Sequence, residues 1–324
     1  MALQPIKLVR PDPVLAVRGA HVLIGGPEPV APDPAVPVAG RTPEVQEKVD
    51  GFLAFAEASG IDITRQVLGF ESDALGRERV VTSVLWVPAP GRTATLFTPP
   101  QSEFPQIAGA TTAALEAALA DAHAGGVVLV QILLEPGDGA GKTVCAAAGL
   151  HQLATLTYME RKPPPSAPDF ELPHDFVLRG YCEQTHELFR TAILASYEET
   201  LDCPLLAGQR DIEDILAGHK SVGRFDPNLW SVVMRFNKPV GCLLLSEIPA
   251  RNGLELVYLG LAPAVRGQGL GRILMQRVLA ISARRHFEIA SLAVDAANVP
   301  AAKLYRRCGY ASVAQRVAMI RKLV

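Results

Sequence analysis

The sequence lacks the patterns that mark several classes of protein. Its five cysteines are odd in number and never form a C-x-x-C pair, which favours reduced thiols in the cytoplasm over a disulfide framework or a zinc site. A formal net charge of -2 gives no general attraction for nucleic acid or an anionic membrane. No uncharged apolar run approaches the ~20 residues that a membrane-spanning helix needs. We therefore expect a cytoplasmic protein whose partner is small.

The length and the composition predict two globular domains. The chain has 324 residues, of which 49% are hydrophobic and 20% charged, so it can bury substantial cores. Two proline-rich stretches divide it. Residues 1–43 are predicted to be an N-terminal extension that ends in an extended connection, and residues 163–174 a stiff linker. The predicted domains are then residues 44–162 and residues 175–324.

The two halves show the same order of predicted helices and strands. An offset of 160 residues aligns Gly149 with Gly309 and Gly109 with Gly269. Few identities accompany this offset, so the order and the spacing of the elements carry the prediction of an internal repeat.

The stretch PGDGAGKTV, residues 136–144, has part of a phosphate-binding loop. Gly141, Lys142 and Thr143 fit the end of the motif G-x-x-x-x-G-K-[ST]. Pro136 occupies the position of the first glycine, and proline has no N–H to donate to a phosphate. At the repeat offset the stretch aligns with another predicted helix start, so we expect its glycines to make the turn into a helix. Nucleotide binding at residues 136–143 is the minor alternative.

The strongest functional pattern is RGQGLG, residues 266–271, between a predicted strand and an amphipathic helix. Glycines let consecutive backbone N–H groups approach an anion, and the positive end of the helix points to the same place. The pattern predicts a pyrophosphate cradle. Glycines that serve only close packing are an alternative, as is a dinucleotide-binding fingerprint, whose spacing and acidic partner are not met cleanly.

Two stretches, LELVYLGLAPAVRGQGLGRILM and VDAANVPAAKLYRRCGY, resemble consecutive motifs of the GNAT superfamily of acyl-CoA-dependent N-acyltransferases. The second has an Asn after the fifth strand, a Tyr on a short helix, and a Gly with an aromatic residue at its end (Asn298, Tyr305, Gly309 and Tyr310). The resemblance covers about residues 175–324. It implies an α/β (α+β) fold of two tandem GNAT-like domains, each with a mostly antiparallel sheet that splays between its strands 4 and 5 and is flanked by helices.

The resemblance also implies which residues bind acetyl-CoA, the acyl-donor cosubstrate, with no metal required. The pantetheine arm would pair with the strand at Leu259, Gly260 and Leu261. The pyrophosphate would lie on the loop formed by Arg266, Gly267, Gln268, Gly269, Leu270, Gly271 and Arg272. Asn298 would contact the arm. Tyr305 would face the thioester sulfur as general acid, since a phenol with a reference pKa near ~10 is protonated at neutral pH.

An attacking amine must lose a proton, so we expect a base or an ordered water on the other side of the thioester. Glu255 is the candidate, because it lies on the strand that enters the cofactor loop, where several family members carry a catalytic glutamate. Glu247 on the preceding strand is the reserve. Strand alternation predicts that Val257, Leu259 and Leu261 share the face of Glu255, with Tyr258 on the other face.

The first half differs at the matched positions. At the repeat offset Tyr305 becomes Cys145, Asn298 becomes Asp138, and the cradle becomes QIAGAT, residues 106–111, with one glycine. We therefore expect a degenerate, non-catalytic first copy. The whole sequence predicts an N-acetyltransferase that moves an acetyl group from acetyl-CoA to a primary amine of a small-molecule or peptide acceptor by direct attack in a ternary complex. A non-catalytic module that senses acyl-CoA is the alternative.

Overall fold

The structure is a computed structural model that describes residues 6–29 and 42–323. Most of the predicted proline-rich connection before residue 43 lies outside the described residues. The chain forms two compact units, Met1–Gln152 with Ala318–Val324, and Leu153–Val317. The division differs from the predicted linker at residues 163–174, because residues 153–161 already belong to a strand of the second unit.

The first unit holds an antiparallel sheet with one parallel pair. Its elements within the described ranges are β1 (Lys7–Val9), α1 (Pro13–Gly25), α2 (Pro43–Ala58), β2 (Gln66–Ser72), β3 (Glu78–Ala89), β4 (Thr93–Phe97), α3 (Ala108–Ala124), β5 (Leu129–Leu134) and α4 (Gly139–Ala147). Strands β1 to β5 lie side by side in chain order, and β4 and β5 are parallel. The region predicted as an extension thus contributes β1 and α1 to this unit.

The second unit also holds a mixed sheet. Its elements are β6 (His151–Arg161), β7 (Phe176–Gly180), α5 (His186–Tyr197), α6 (Ile212–Lys220), β8 (Trp230–Arg235), β9 (Lys238–Ile248), β10 (Gly253–Leu261), α7 (Leu270–Arg284), β11 (Ile289–Asp295), α8 (Val299–Arg307) and β12 (Ala311–Lys322), with two residues of β6 and the last residues of β12 assigned to the first unit. The strand order is β6-β11-β10-β9-β8-β7, and β10 and β11 are parallel.

Helices cover both faces of the second sheet, because its strands alternate between two cores. On β9, Leu243 packs into a core with Met275 of α7, whereas Leu244 packs into a core with Phe189 of α5 and Leu216 of α6. This period of two places α7 and α8 on one face and α5 and α6 on the other. The loop RGQGLG connects β10 to α7, and Asn298 lies between β11 and α8.

The predicted repeat is visible in the elements of each unit. Helices α4 and α8 differ by 160 residues at both ends, as do the starts of β5 and β11. A hydrogen bond from an arginine to a helix end is also repeated at this offset. In the first unit Arg321 Nη1 donates to the carbonyl of Ala148 at 2.7 Å, and in the second Arg161 Nη1 donates to the carbonyl of Cys308. These carbonyls end the two short helices, so the units share local contacts as well as element order.

The stretch PGDGAGKTV makes the turn into α4, as predicted. Asp138 Oδ1 accepts from the backbone N–H of Gly141 at 2.8 Å and so caps the helix. Lys142 Nζ donates to the carbonyl of Pro136 at 3.2 Å. The lysine that a phosphate-binding loop would use therefore closes its own turn.

Candidate functional site

The site of the second unit begins where β10 and β11 separate. Their parallel pairing ends at Leu256 opposite Leu292. At the same point Val257 is skipped in the pairing of β10 with β9, which resumes at Tyr258. A bulge of this kind bends a strand and increases its twist. The splay predicted between strands 4 and 5 is confirmed here, and the bulge accompanies it.

The bulge makes the predicted alternation along β10 wrong. Glu255 lies between two residues of the α7 core and therefore faces the α5 side. Val257 and Tyr258 both pack into the core of α5 and α6, and Leu259 turns to the core of α7. One extra residue moves every later side chain to the other face. Tyr258 thus joins the face of Glu255, and Leu259 leaves it.

A cavity of about 330 Å³ lies between the separated strands. Its lining comes from the end of β10, the end of β11, α8 with the residue before it, residues 199–202 after α5, and the side chains of Ser196 and Arg266. Leu259, Gly260 and Leu261, which were expected to meet a cofactor arm, lie in its wall. The volume is at the lower end for small-ligand sites, about 300 to 1,000 Å³.

Tyr305 on α8 contributes a hydroxyl to this cavity. The residue is 7% exposed, and no described residue accepts or donates a hydrogen bond at its hydroxyl. Burial and the nearby carboxylate of Asp202 raise the pKa of the phenol above its usual value. Asn298 orients the helix, since its Oδ1 accepts from the N–H of Ala301 at 3.3 Å. The cavity therefore contains a protonated donor that no protein group uses.

Tyr258 supplies a second hydroxyl, which the sequence did not suggest. Ser196 Oγ lies 2.7 Å from it and donates its own proton to the carbonyl of Ile193 at 2.7 Å, so Tyr258 must be the donor between the two hydroxyls. Its oxygen then keeps lone pairs for a ligand. Gly260 leaves room for this pair, because a Cβ there would collide with both side chains. Gly260 therefore has a packing function in the cavity wall.

Arg266 does not point its side chain at the predicted cradle. Its guanidinium donates to four carbonyls, those of Leu261 (2.9 Å), Ser196 (3.0 Å), Glu198 (2.7 Å) and Glu199 (3.0 Å). Its backbone N–H donates to Pro263 at 3.1 Å. The side chain of Arg266 thus ties the end of α5 to the end of β10, and its place in a pyrophosphate site stays a prediction.

The cradle itself consists of backbone. Gly267 and Gly269 have φ values of 72° and 84°, a region that favours glycine, and a Cβ on either would meet nothing within 4 Å. No described residue accepts from the N–H groups of residues 267–271, which lie at the start of α7. Arg272, in the first turn of α7, is exposed and has no ion-pair partner among the described residues. Gly271 differs from Gly267 and Gly269, because a Cβ there would come within 3.1 Å of Leu304 Cδ2 on α8.

The corresponding region of the first unit has lost these features. Residues 108–111 are the first turn of α3, and Ile107 before them is 3% exposed. Gly109 lies in this turn without a positive φ. Cys145, at the position of Tyr305, is 1% exposed, and burial raises the pKa of its thiol to about 12. Helix therefore replaces the cradle, as expected for a degenerate copy.

The two candidate bases differ in their partners. Glu255 accepts from Ser291 Oγ, and burial raises the pKa of its carboxyl, a shift that Ser291 and Arg251 oppose. Glu255 is outside the lining of the cavity, one residue before it on β10. Glu247 is 7% exposed and is held by Arg224 and, at 2.8 Å, by Arg285. Glu247 thus lies in an ion-pair network with two arginines, outside the lining of the cavity.

Residues 199–202 add two carboxylates to the cavity wall, Glu199 and Asp202. Asp202 Oδ1 accepts from the N–H of Asp295 at 3.2 Å. Desolvation and the Asp295 carboxylate raise the pKa of Asp202, opposed by the bonds that it accepts. Sequence reasoning missed both residues because they lie about a hundred positions from the motif that they meet.

Among the residues described, no helix is long and apolar enough to cross a membrane, and no group of three metal-binding side chains is found.

Comparison with known proteins places residues 190–310 in the acetyltransferase (GNAT) family. No curated protein matches the chain in sequence. A GCN5-related N-acetyltransferase from Sphaerobacter thermophilus is 18% identical, with 98% of this chain and 95% of that one covered and a TM-score of 0.57, which shows a shared fold. A tandem GNAT protein from the clavulanic acid biosynthesis pathway is 15% identical, with 98% of each chain covered and a TM-score of 0.48.

Proposed function

Since residues 190–310 match the model of the acetyltransferase (GNAT) family, we propose that the chain transfers an acetyl group from acetyl-CoA to a primary amine of a small-molecule or peptide acceptor. One observation carries the proposal. The second unit has a cradle of backbone N–H groups that donate to no described residue. It also has a cavity lined by Tyr305, whose phenol bonds to no described residue.

The residues of the second unit fit the donor. The N–H groups of residues 267–271 would bind the pyrophosphate, with Arg272 as the nearby cation. Beyond the splay, the free edge of β10 at Leu259–Leu261 would pair with the pantetheine arm, and Asn298 in the cavity wall would contact it. Acetyl-CoA supplies a thioester whose carbonyl carbon an amine can attack.

Glu255 would accept the proton that the amine loses. Burial raises the pKa of the Glu255 carboxyl, and this makes its carboxylate a stronger base than that of an ordinary glutamate. Because Glu255 lies outside the cavity lining, we expect the proton to reach it through water. The Tyr258 oxygen would accept a second amine N–H, and the carboxylates of Glu199 and Asp202 would attract an ammonium group before it is deprotonated.

Tyr305 would complete the transfer. The new C–N bond forms as the C–S bond breaks, and Tyr305 would give its phenolic proton to the departing sulfur. The amine proton is then on Glu255 and the phenolic proton on the thiol of the leaving group. Solvent carries the Glu255 proton back to the phenolate, so both groups would be restored for the next turnover.

Two assays test the function. A thermal-shift titration should show stabilisation by acetyl-CoA and none by ATP, since a ligand that binds the native state raises its stability by mass action. Thiol release from acetyl-CoA should then depend on one member of a panel of primary amines, with the acetylated product identified by mass spectrometry. Stabilisation by ATP alone would favour residues 136–143 and reject the proposal. Binding of acetyl-CoA without transfer to any amine would favour a non-catalytic sensor.

A further inference from the structure

Arg266 connects two parts of the second unit that the sequence does not relate. It is followed directly by Gly267, the first residue of the cradle. Its guanidinium holds three carbonyls at and after the end of α5. A helix end leaves its last carbonyls without intrahelical partners, and a guanidinium can satisfy several of them at once. We call residues 198–203, which continue from this end and form one wall of the cavity, the wall loop.

The wall loop is held at both ends. Arg266 holds its first two residues, and at the other end the N–H of Cys203 donates to Asp295 Oδ2 at 3.2 Å. Glu199 and Cys203 have φ values of 50° and 45°, a left-handed conformation that residues with a Cβ adopt only when surrounding contacts hold them. The segment between them carries Leu201, which is 53% exposed. Thr200 makes turns within the loop, since its N–H donates to Tyr197 at 3.2 Å and its Oγ1 accepts from the Asp202 N–H at 3.1 Å. The contacts with Arg266 and with Asp295 attach the loop to the rest of the unit.

We propose that Arg266 is a positioning residue that closes the wall loop over the pantetheine end of the cavity, and that its side chain does not bind the pyrophosphate. The four carbonyl contacts use four of the five N–H donors of the guanidinium. The fixed loop then forms the wall of the cavity and limits the access of water to the thioester. The proposal rests on the proposed function for the identity of the ligand, but the contacts of the loop do not depend on it.

A comparison of two ligands separates this role from phosphate binding. Coenzyme A and pantetheine share the arm that enters the cavity, but only coenzyme A has a pyrophosphate. Arg266→Gln should weaken both ligands by a similar factor, of about tenfold, which is typical of coupling between a loop and a site. Gly269→Glu should weaken coenzyme A and leave pantetheine unchanged. If Arg266→Gln weakens coenzyme A alone, Arg266 is a phosphate ligand and the proposal is wrong.

Hydrogen exchange of the ligand-free protein tests the loop directly. In Arg266→Gln we expect faster amide exchange confined to the wall loop and the last turn of α5. Arg277→Gln is the matched control, because Arg277 is also half-buried but donates to Ser231 and does not touch the loop. Unchanged exchange in the loop of Arg266→Gln would overturn the proposal.

A second variant keeps the proposal testable if Arg266→Gln does not fold or if the proposed function is wrong. Asp202→Ala removes a second bond between the wall loop and Asp295, the one that the Asp202 carboxylate accepts from the Asp295 N–H, so it should give the same exchange signature and weaken both ligands. If Arg266→Gln does not fold, the absence of that signature in Asp202→Ala counts against the loop. If the parent protein binds neither coenzyme A nor pantetheine, the proposed function fails, and the exchange data still decide whether Arg266 holds the loop.

Discussion

Replacing Tyr305 by phenylalanine removes one hydroxyl and leaves the ring in place. The ring is 7% exposed and packs edge-on against Tyr310 with centroids 6.3 Å apart. Because no described residue bonds to the hydroxyl, its removal breaks no hydrogen bond within the protein. We expect the free energy of unfolding to change by no more than about 0.5 kcal/mol.

The structure also sets the size of the catalytic loss. A positioned general acid contributes roughly 10²- to 10⁴-fold, or about 2.7 to 5.5 kcal/mol at 1.36 kcal/mol per factor of ten. Burial raises the pKa of Tyr305 above that of an ordinary phenol, whereas a thiol titrates near ~8.5, so complete proton transfer to the thiolate is uphill. A weaker acid gives a smaller rate advantage when it protonates the leaving sulfur. We therefore expect a loss near the lower end, of about 10²-fold.

The assay is single-turnover release of the thiol with saturating acetyl-CoA and an active amine, together with calorimetric measurement of acetyl-CoA affinity, which should not change. Tyr310→Phe is the matched control. Tyr310 is 3% exposed, its hydroxyl also lacks a described partner, and it is outside the cavity lining. Turnover of Tyr305→Phe within about threefold of the parent, with chemistry limiting, would refute the reasoning. An equal loss in Tyr310→Phe would refute it as well.

Three further predictions concern the surroundings of the cavity. In a pH–rate profile the pKa of the acid limb should lie above the ordinary range of a glutamate, because burial raises the pKa of Glu255. Ser291→Ala removes a hydrogen bond that lowers this pKa, so it should move the limb to higher pH. Glu255→Gln should abolish the limb. A Glu255→Gln profile parallel to the parent's would exclude this base. Burial lowers the pKa of His219 to about 4, below its unfolded value near ~6.5, so the unfolded state gains a proton first as the pH falls. Urea denaturation should therefore show a loss of up to about 3 kcal/mol between pH ~6.5 and ~4 that His219→Gln lacks, and an unchanged pH dependence in that variant would contradict this. Gly260→Ala should destabilise the protein by about 1 to 3 kcal/mol, because the added Cβ collides with Ser196 Oγ; a neutral effect would show that the hydroxyl pair moves freely.

The parts of the site that are local in sequence were predictable. The strand, the glycine loop and the helix start of the cradle are contiguous, so the motif at residues 266–271 shows the turn geometry directly. Tyr305 lies on a short helix at a fixed distance from its cap at Asn298. The repeat was predictable because the order of the elements and the 160-residue spacing between α4 and α8 are kept even where identities are lost.

The parts that depend on contacts between distant segments were not predictable. The bulge at Val257 leaves no mark on an apolar strand, yet it decides the face of Tyr258. The partners of Arg266 lie about 70 residues earlier, after a helix whose end the sequence does not relate to the motif. The division into compact units differs from the predicted linker for a similar reason, since β6 pairs with β11 before the prolines at residues 163–165 are reached.

Acetyl-CoA affinity of two glycine variants at equivalent positions tests the central claim most directly. Gly269 and Gly109 are both exposed, and a Cβ on either meets nothing within 4 Å, but only Gly269 lies in the cradle. A carboxylate at Gly269 would face the pyrophosphate, so titration calorimetry should find no binding to a folded Gly269→Glu protein and parental affinity in Gly109→Glu. Gly269→Asn, which tolerates the positive φ without a charge, should retain affinity and so separate repulsion from strain. Parental affinity in folded Gly269→Glu, or lost affinity in folded Gly109→Glu, would contradict a single acyl-CoA site in the second unit.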